Sequence, residues 1–530
     1  MARFPSSWPV TTLLALLHCG LAAVFLLGRA SGTDAAWTGF PLDDAWIHMV
    51  YGQSVAEHGL PYYNPGQLES GFTSPLWVIV AAAAHVLASW FGATPWMTLK
   101  VFGVLFGAGI VVCVERLVRA WTVGPWPALF AGLLAALCPL GVFGDLSGME
   151  VSLATCLSLA GILAVTHQRL TVAGLLIAGA GLARPECALL AGLAAAVMVN
   201  DPAYPRPAMK LQVALRLGAP TAMGFAAWSL YCLYATGRPL PATLYAKFDM
   251  PAAPEIPGVI AEAVAALPAA SAGAVLALAP LALLRLARPD RRTALTLTLL
   301  YPWIFLFAIS RSRALPEGYG TFFVWTRYVQ PALPFLFVAM AVGLDQLAHL
   351  AKRMPVAWLR PAPAAAAAVL ALAPYPAAWS EQRARYAWNC QNMNEVQVAL
   401  GQWVAQETAP GSAVALNDAG AIRYFGERPA LDLIGLNCAD LLRPEMQHVL
   451  FEPRAMANLM RLEGAQHLII FPRWFPDLVQ HREFARVFTP VASFHSDHYT
   501  VAHADASQSR MWAFELRTNN PPQAHAAAPR

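Results

Sequence analysis

The chain has 530 residues, of which 57% are hydrophobic and only 12% are charged. Soluble proteins carry about a quarter of their residues as Asp, Glu, Lys and Arg, so most of this chain is expected to lie in a lipid bilayer. The composition excludes a disordered chain, and the eight cysteines are too sparse for a disulfide scaffold. A net charge of +4 gives no reason to expect a nucleic acid as a partner.

The apolar character of the chain changes near residue 379, and this change divides it into predicted domains. The pattern predicts a polytopic α-helical membrane domain over residues 1–379, a C-terminal domain over residues 380–518 and a flexible tail over residues 519–530. The first apolar run, residues 10–27, is longer than the hydrophobic region of a signal peptide, which favours a retained signal anchor. Further candidate spans lie at residues 98–115, 126–143, 150–166, 171–182, 185–199, 211–234, 262–286, 293–311, 325–349 and 356–377.

Basic residues predict the orientation, because Lys and Arg concentrate in the cytoplasmic loops of membrane proteins. Every second predicted loop carries such residues: Arg116, Arg119, Arg169, Arg206, Lys210, Arg216, Arg285, Arg288, Arg291, Arg292, Lys352, Arg353 and Arg360. The alternation predicts about eleven crossings with the N-terminus inside, provided that Leu76–Phe91 is an interfacial or re-entrant helix that does not cross. The C-terminal domain and a first outer loop over residues 31–74 then face the periplasm, if the membrane is a bacterial cytoplasmic (inner) membrane.

The first outer loop contains the densest set of polar residues in the sequence, beginning with the adjacent acids Asp43 and Asp44. Two neighbouring carboxylates can supply a general base or hold a cation, because one raises the cost of ionising the other. The alternative is a solvated pair that caps a helix beginning near Ala45. The pair alone is a weak signal, so its interpretation depends on the motifs around it.

Further motifs are spread over most of the chain. They are Gly59-Leu60, Asn64-Pro65-Gly66, Gly71-Phe72-Thr73-Ser74-Pro75-Leu76-Trp77, Ser147-Gly148-Met149-Glu150, Arg184-Pro185-Glu186, Gly237-Arg238-Pro239-Leu240-Pro241 with Lys247, Thr326-Arg327-Tyr328, Asp418-Ala419-Gly420-Ala421-Ile422 and Leu431-Asp432-Leu433-Ile434-Gly435-Leu436. Together with Asp43-Asp44, these motifs resemble the GT-C superfamily of integral-membrane glycosyltransferases. The resemblance is closest to the branch that contains the terminal arabinofuranosyltransferases, although many relatives have Arg where this chain has Val50.

The resemblance implies an inverting glycosyltransferase that moves a sugar from a polyprenyl-phosphate donor to a hydroxyl of a cell-surface glycan, lipid or protein; the nearest branch suggests arabinofuranose. Such a transfer needs a base for the acceptor hydroxyl, cationic groups for the departing phosphate and an apolar groove for the lipid. By the resemblance, Asp43 is the base, and Asp44 orients the acceptor or tunes Asp43. His48, about one turn into the predicted helix, is a candidate acceptor contact, although a lone His is more often a polar loop residue.

Four basic residues on the predicted outer face are candidates for binding the donor phosphate. They are Lys100, Arg184, Lys247 and Arg327, the last with Tyr328 beside it. Lys100 begins a span on that face, where snorkelling of its amine to the interface is the alternative explanation. Arg184 lies between two short apolar segments, where an unpaired charge is costly, and pairing with Glu186 or Glu150 is the structural alternative.

Asp145 and Glu150 form a second acidic cluster on the predicted outer face. Together with Glu186, they are candidates for acceptor contacts or for support of the catalytic residues. A divalent metal is a possible cofactor, but octahedral sites need more oxygen ligands than cluster here, so no metal is assigned and a metal-independent reaction is favoured. Cys390 and Cys438, the two cysteines of the C-terminal domain, are candidates for a disulfide in an oxidising compartment.

The C-terminal domain is predicted to be α/β, with buried strands at residues 413–416 and 467–471 and a helix at residues 396–406. Two other functions stay open: a transporter or flippase of lipid-linked sugars, and a non-catalytic subunit for assembling surface polymers. A transporter is less favoured, because the polar motifs gather on one face rather than at the bilayer midplane. The predicted partners are therefore the lipid-linked donor, the acceptor and the bilayer, with no nucleic acid.

Overall fold

The computed structural model describes residues 8–30, 32–122, 124–248, 267, 269–287, 292–312, 327–497 and 510–517. The first 372 residues form helices at Trp8–Leu26, Ala35–Thr38, Asp44–His58, Pro75–Phe91, Pro95–Trp121, Trp126–Leu137, Pro139–Leu146, Val151–Thr166, Leu170–Ala183, Leu189–Met198, Pro207–Thr236, Ala242–Phe248, Ala269–Leu278, Arg292–Ser312, Leu333–Ala351 and Ala362–Leu372. Short 3-10 helices lie at Pro185–Ala188, Ala279–Ala287, Gln330–Ala332 and Ala357–Leu359. Many of the helices begin with a proline. The N–H groups of the first turn have no acceptor within the helix, so a proline, which lacks this group, loses no hydrogen bond there.

Four helical stretches among the described residues are long and apolar enough to cross a bilayer: Pro9–Leu26, Pro95–Trp121, Arg327–Ala351 and Ala357–Glu407. Helices Trp126–Leu137 and Pro139–Leu146 also qualify when taken together, and they meet at a bend of 50°. The remaining apolar helices are shorter, with 10–17 residues, and Pro75–Phe91 is one of them. The predicted interfacial or re-entrant course of that helix, and the number of about eleven crossings, stay predictions.

The first outer loop folds into a helix and a hairpin. The helix is predicted from Ala45 and begins one residue earlier, at Asp44. It ends at Gly59, whose φ of 73° is a left-handed conformation that glycine adopts without strain. An antiparallel hairpin follows, with strands β1 (Tyr62–Asn64) and β2 (Gln67–Leu68).

The C-terminal region contains a five-stranded sheet in the order β4-β3-β5-β7-β6. Its strands are β3 (Ala413–Leu416), β4 (Ala430–Asp432), β5 (Ala465–Ile470), β6 (Phe488–Phe494) and β7 (Met511–Leu516). Strand β3 pairs in parallel with β4 and β5, whereas β7 pairs antiparallel with β5 and β6. The helices of this region are Tyr375–Met393, Asn394–Val398 (a π-helical turn), Ala399–Glu407, Ala421–Gly426, Pro453–Leu462, Pro476–Val479 and Phe484–Val487, with 3-10 helices at Ala439–Leu442, Pro444–Leu450 and Pro472–Trp474.

Apolar packing joins the outer loop to this sheet. Ile47, Tyr51 and Phe72 of the loop belong to one buried cluster with Leu416 and Ile469 of strands β3 and β5. Full burial of a large apolar side chain contributes about 1.5–3 kcal/mol, so even this small set makes a substantial interface. The outer loop is therefore packed between the membrane helices and the C-terminal sheet rather than exposed as a free loop.

Helix Tyr375–Met393 runs through the predicted domain boundary at residue 380. Its buried Tyr386 ring meets the ring of Phe143 edge to face, with 5.0 Å between centroids. Cys390 of the same helix is also buried, and its thiol donates to the Gly39 carbonyl oxygen with an S···O distance of 3.6 Å. Cys390 and Cys438 are both free thiols, so the candidate disulfide between them is not formed. The predicted tail, residues 519–530, lies outside the described residues.

Candidate active site

A cleft lies where the outer loop, the membrane helices and the C-terminal region meet. Its charged lining residues are Asp44, Glu150, Arg184, Glu186 and Arg327. They come from four separate segments of the chain, and each is a candidate that the sequence singled out. The structure therefore brings these predicted residues together in one place.

Asp44 and Arg327 form an ion pair in the cleft. The Arg327 Nη2 donates to Asp44 Oδ2 at 2.8 Å and to the Tyr328 hydroxyl oxygen at 3.1 Å. The guanidinium also lies over the Tyr328 ring, 5.0 Å from its centroid, in cation–π geometry. The Asp44 side chain is 40% exposed whereas that of Arg327 is 7% exposed, so the carboxylate is open to solvent and the cation is held beneath it.

Arg327 has hydrogen-bonding groups that its described neighbours do not use. Its Nε and Nη1 groups are buried and have no hydrogen-bond partner within the described part of the chain. The buried hydroxyl of Thr243, another lining residue, has none there either. Leaving a buried donor without a partner costs about 1–3 kcal/mol, and more for a charged group. An anion with several oxygens, such as a phosphate, has the charge and the acceptors that would satisfy these groups.

Arg184, by contrast, donates to acids from all three of its nitrogens. Its Nη1 donates to Glu150 Oε1 at 3.0 Å, and its Nε and Nη2 donate to Glu186 Oε1 at 2.9 and 2.7 Å. On the other side of Glu150, the Nε2 of His48 lies 3.6 Å from Oε2. Both structural alternatives for Arg184 are therefore realised. Arg184 joins the lining acids Glu150 and Glu186, and His48 contacts Glu150 from behind the lining.

Asp43 lies beside the cleft but does not line it. Its Oδ2 accepts the backbone N–H of Gly420 at 2.8 Å, and its Oδ1 accepts that of Ala421 at 2.8 Å. Burial and the neighbouring carboxylate of Asp418 hold the pKa of Asp43 well above its usual range. Of the two adjacent acids, Asp44 is the one that lines the cleft, and the assignment of Asp43 as the base stays a prediction.

Two predicted site residues lie elsewhere in the molecule. The Lys100 ammonium group is buried and donates to the carbonyl oxygens of Ala36 at 2.6 Å and Gly39 at 2.7 Å. It fixes the short helix before the Asp pair rather than lining the cleft. The Asp145 carboxylate accepts a hydrogen bond from His18 at 2.6 Å, beside a separate small cavity among the membrane helices. Neither group is placed to contact a substrate in the cleft.

Lys247 belongs to helix Ala242–Phe248, but its side chain lies outside the described residues. Within the described ranges, no group of three or more His, Cys, Asp and Glu side chains is arranged to hold a metal ion. The described acids of the cleft contact Arg184 and Arg327 instead. The chemical groups that the described lining residues offer are carboxylates, guanidinium groups and hydroxyls.

Sequence reasoning did not select Thr243, Leu436 or Gly420 as site residues, although the first two line the cleft and the third holds Asp43. Each lies within or just after a motif that carried the family resemblance. Their side chains carry a hydroxyl, an isobutyl group and a hydrogen atom, and none of these is a charged group, an acid or a base near neutral pH. Position within a motif was the available signal, because residue type alone does not distinguish them from ordinary loop residues.

Comparisons with known proteins support the fold. The sequence matches no curated protein, and residues 386–514 match a family model described as a domain of unknown function, DUF8728. The oligosaccharyltransferase of Archaeoglobus fulgidus is similar in structure, with a TM-score of 0.59, 12% identity and coverage of 95% of this chain and 74% of that one. ArnT from Cupriavidus metallidurans, solved with bound undecaprenyl phosphate, gives a TM-score of 0.57, 13% identity and coverage of 98% of this chain and 100% of that one.

A third solved structure belongs to the branch that the sequence motifs resemble. The arabinofuranosyltransferase AftD from Mycobacteria gives a TM-score of 0.52 and 16% identity. The match covers 98% of this chain and 42% of AftD, so this chain spans less than half of that enzyme. All three proteins are GT-C glycosyltransferases, and identities of 12–16% relate them to this chain by fold. This chain is an integral membrane protein with the fold of the GT-C glycosyltransferases, as its motifs predicted.

Proposed function

We propose that this protein is an inverting glycosyltransferase that moves a sugar from a polyprenyl-phosphate donor to a hydroxyl acceptor in the cleft. One observation carries the proposal: an exposed carboxylate, Asp44, lies 2.8 Å from a buried guanidinium, Arg327, that has two further N–H groups without described partners. Base and phosphate-binding group are the two elements that this reaction needs. Their adjacency in one cleft supports glycosyl transfer over transport, which has no need of a base.

In the proposed reaction, Asp44 accepts the proton of the acceptor hydroxyl as the oxygen attacks the anomeric carbon. The bond between that carbon and the phosphate oxygen breaks, and its electron pair leaves with the lipid phosphate. Attack from the face opposite the phosphate inverts the anomeric configuration. Arg327 neutralises the negative charge that builds on the phosphate, where preorganised donors have their largest effect.

The arginines are proposed to divide the work. Arg327 binds the phosphate, because its Nε and Nη1 groups are unused by the described residues. Arg184 keeps Glu150 and Glu186 in place, since all three of its donor nitrogens are engaged by those acids. Glu150, through its contact with His48, is then proposed to lie on the acceptor side of the cleft.

The nature of the substrates is also a proposal. ArnT was solved with undecaprenyl phosphate, the oligosaccharyltransferase with a tethered acceptor peptide, and AftD is named as an arabinofuranosyltransferase. These relatives and the sequence motifs support a polyprenyl-phosphate sugar, with arabinofuranose as the first candidate, as the donor. A cell-surface glycan, lipid or protein hydroxyl is the acceptor, and the cleft faces the outer side of a bacterial cytoplasmic membrane.

The test uses the full-length protein reconstituted in liposomes. Binding of undecaprenyl phosphate is compared with that of undecaprenol, which has the same chain and no phosphate, and a panel of polyprenyl-phosphate sugars is supplied with envelope extracts as acceptors. We expect selective binding of the phosphorylated lipid and transfer from one donor of the panel, detected by mass spectrometry. Equal binding of both lipids, or no transfer from any donor, would count against the proposal.

A further inference from the structure

Two C-terminal motifs, Asp418–Ile422 and Leu431–Leu436, contain no group that the proposed chemistry requires. Both nevertheless reach the outer loop at the edge of the cleft. We propose that the Asp418–Ala421 turn and the Leu436–Asn437 segment are positioning elements of the transfer reaction, which hold Asp44 and the Gly71–Thr73 wall in place. This inference rests on the proposed function, which identifies the reaction. It assigns a role to residues 386–514, which match a domain of unknown function.

The first contact fixes the carboxylate pair. The backbone N–H groups of Gly420 and Ala421 each donate to one oxygen of Asp43 at 2.8 Å. A β-carbon at position 420 would press against the Asp43 carbonyl oxygen and lie 2.8 Å from Asp43 Oδ1. Since that carbonyl oxygen also accepts the N–H of Trp46 at 2.8 Å, it cannot move without disturbing the first turn of the helix that carries Asp44.

The second contact fixes the opposite wall. The Tyr51 hydroxyl donates to Asn437 Oδ1 at 2.9 Å and accepts the backbone N–H of Gly71 at 3.2 Å. Asn437 is held in turn by Asp432, whose Oδ2 accepts its side-chain N–H at 2.9 Å and its backbone N–H at 2.8 Å. A β-carbon on Gly71 would press against Asn437 Oδ1 and lie 2.6 Å from the Leu436 carbonyl oxygen. Gly71 and Leu436 both line the cleft, so this chain of bonds sets its width.

A third contact aligns the hairpin of the outer loop with the sheet. The Asn64 side chain donates to the Ala430 carbonyl oxygen at 3.0 Å and accepts the Ala430 N–H at 2.8 Å. The Tyr63 hydroxyl donates to the Ala419 carbonyl oxygen at 2.8 Å. These bonds satisfy backbone groups at an edge strand, β4, and at the turn before Gly420. Three separate attachments on one loop indicate a fixed register rather than a passing contact.

The two sides of the cleft differ in where their support comes from. Arg327 and Arg184 belong to segments of the membrane region. Asp44 instead lies between its partner Arg327 and the preceding residue Asp43, which the C-terminal turn binds. Loosening that turn moves the base and leaves the phosphate-binding group in place. The positioning role therefore predicts a loss of turnover without a loss of lipid-phosphate binding.

The experiment compares Gly420→Ala with the wild type, both full-length in liposomes, for kcat and for the Kd of undecaprenyl phosphate. Misplacement of a reacting group by about 1 Å can cost a factor of about 100 in rate, so kcat is expected to fall about 100-fold. The Kd is expected to stay within about twofold. Gly192→Ala is the matched control, because a β-carbon there meets nothing within 4 Å, and both of its constants should equal those of the wild type.

A folded Gly420→Ala protein with wild-type kcat would overturn the inference, and so would a Kd that weakens in parallel with kcat. If Gly420→Ala does not fold, Tyr51→Phe takes its place, because it removes only the hydroxyl that joins Asn437 to Gly71. Its expected result is a kcat about tenfold lower at unchanged Kd, since the two hydrogen bonds that this hydroxyl makes with Asn437 and Gly71 are lost. Unchanged kcat in that variant would overturn the inference. A wild-type protein that transfers nothing refutes the proposed function itself, and the inference falls with it.

Discussion

Replacing Arg327 by glutamine should weaken the binding of a lipid phosphate without preventing the protein from folding. The variant Arg327→Gln removes the positive charge, the ion pair with Asp44 and the two N–H groups that have no described partner. Glutamine keeps a polar amide, but it is uncharged and two bonds shorter than arginine. The protein should therefore insert and fold while losing affinity for a lipid phosphate.

The size of the effect follows from the Arg327 donors that no described residue uses. A hydrogen bond to a charged group contributes about 1.5–3 kcal/mol, so the loss of two costs about 3–6 kcal/mol. Since about 1.4 kcal/mol corresponds to a factor of ten, the Kd for undecaprenyl phosphate should rise at least 100-fold. Arg327→Lys keeps the charge but lacks the planar guanidinium. Its Kd should lie between those of the wild type and Arg327→Gln, about tenfold weaker than that of the wild type.

The assay is equilibrium binding of undecaprenyl phosphate to the reconstituted protein, with undecaprenol as the control lipid. Arg454→Gln is the matched control, because Arg454 is also paired with an acid, Glu483 at 2.9 Å, but its side chain is 61% exposed. An exposed pair of this kind is worth about 0–1 kcal/mol, so neither lipid should bind differently to that variant. Equal Kd values for Arg327→Gln and the wild type would refute the assignment of Arg327 to the phosphate.

Three further predictions concern residues outside the cleft. Lys100→Met removes the ammonium group that donates to the buried carbonyl oxygens of Ala36 and Gly39, and the weak Cys390 thiol donor stays only on Gly39. The loss of a buried hydrogen-bond partner costs about 1–3 kcal/mol, so the melting temperature should fall while the Kd for undecaprenyl phosphate stays unchanged. A Kd as weak as that of Arg327→Gln would restore Lys100 as a phosphate ligand. Burial and the nearby Asp440 raise the pKa of Glu69 to about 8 from its usual 4.5. The folded state therefore holds this proton more tightly, stability falls as pH rises from 4.5 to about 8, and Glu69→Gln should gain melting temperature over the wild type at pH 9 and not at pH 4. Mass spectrometry after alkylation of the unfolded protein without reductant should find both Cys390 and Cys438 labelled, because the buried Cys390 becomes accessible only on unfolding; an intact disulfide would contradict the structure.

Much of the site could be predicted because charge is costly in an apolar sequence. Arg184 and Arg327 stand at the ends of apolar segments, where an ionisable residue is retained mainly for a partner or a ligand. The structure places both in the cleft with the predicted acids Glu150 and Glu186. The sequence was enough to predict these two residues, because a charged residue that interrupts an apolar run marks the end of a helix.

The assignment of individual roles needed contacts between distant residues. Which member of the Asp43–Asp44 pair reaches the cleft depends on Gly420, which lies 377 positions further along the chain. The charge of Lys100 predicted that its ammonium group donates to oxygen atoms. The sequence does not show whether those atoms belong to a phosphate or to backbone carbonyl groups. Asp145 was predicted beside Glu150, yet the chain turns between them and directs Asp145 to His18.

Initial rates of sugar transfer by Asp44→Asn and Asp43→Asn, each reconstituted with the donor that the panel identifies, test the central claim most directly. General base catalysis contributes about 10²–10⁴-fold, so Asp44→Asn should transfer at least 100 times more slowly than the wild type. Its Kd for undecaprenyl phosphate should not weaken, because Arg327 is retained. Asp44→Asn with a near wild-type rate, together with an inactive Asp43→Asn, would contradict the account and return the base to Asp43.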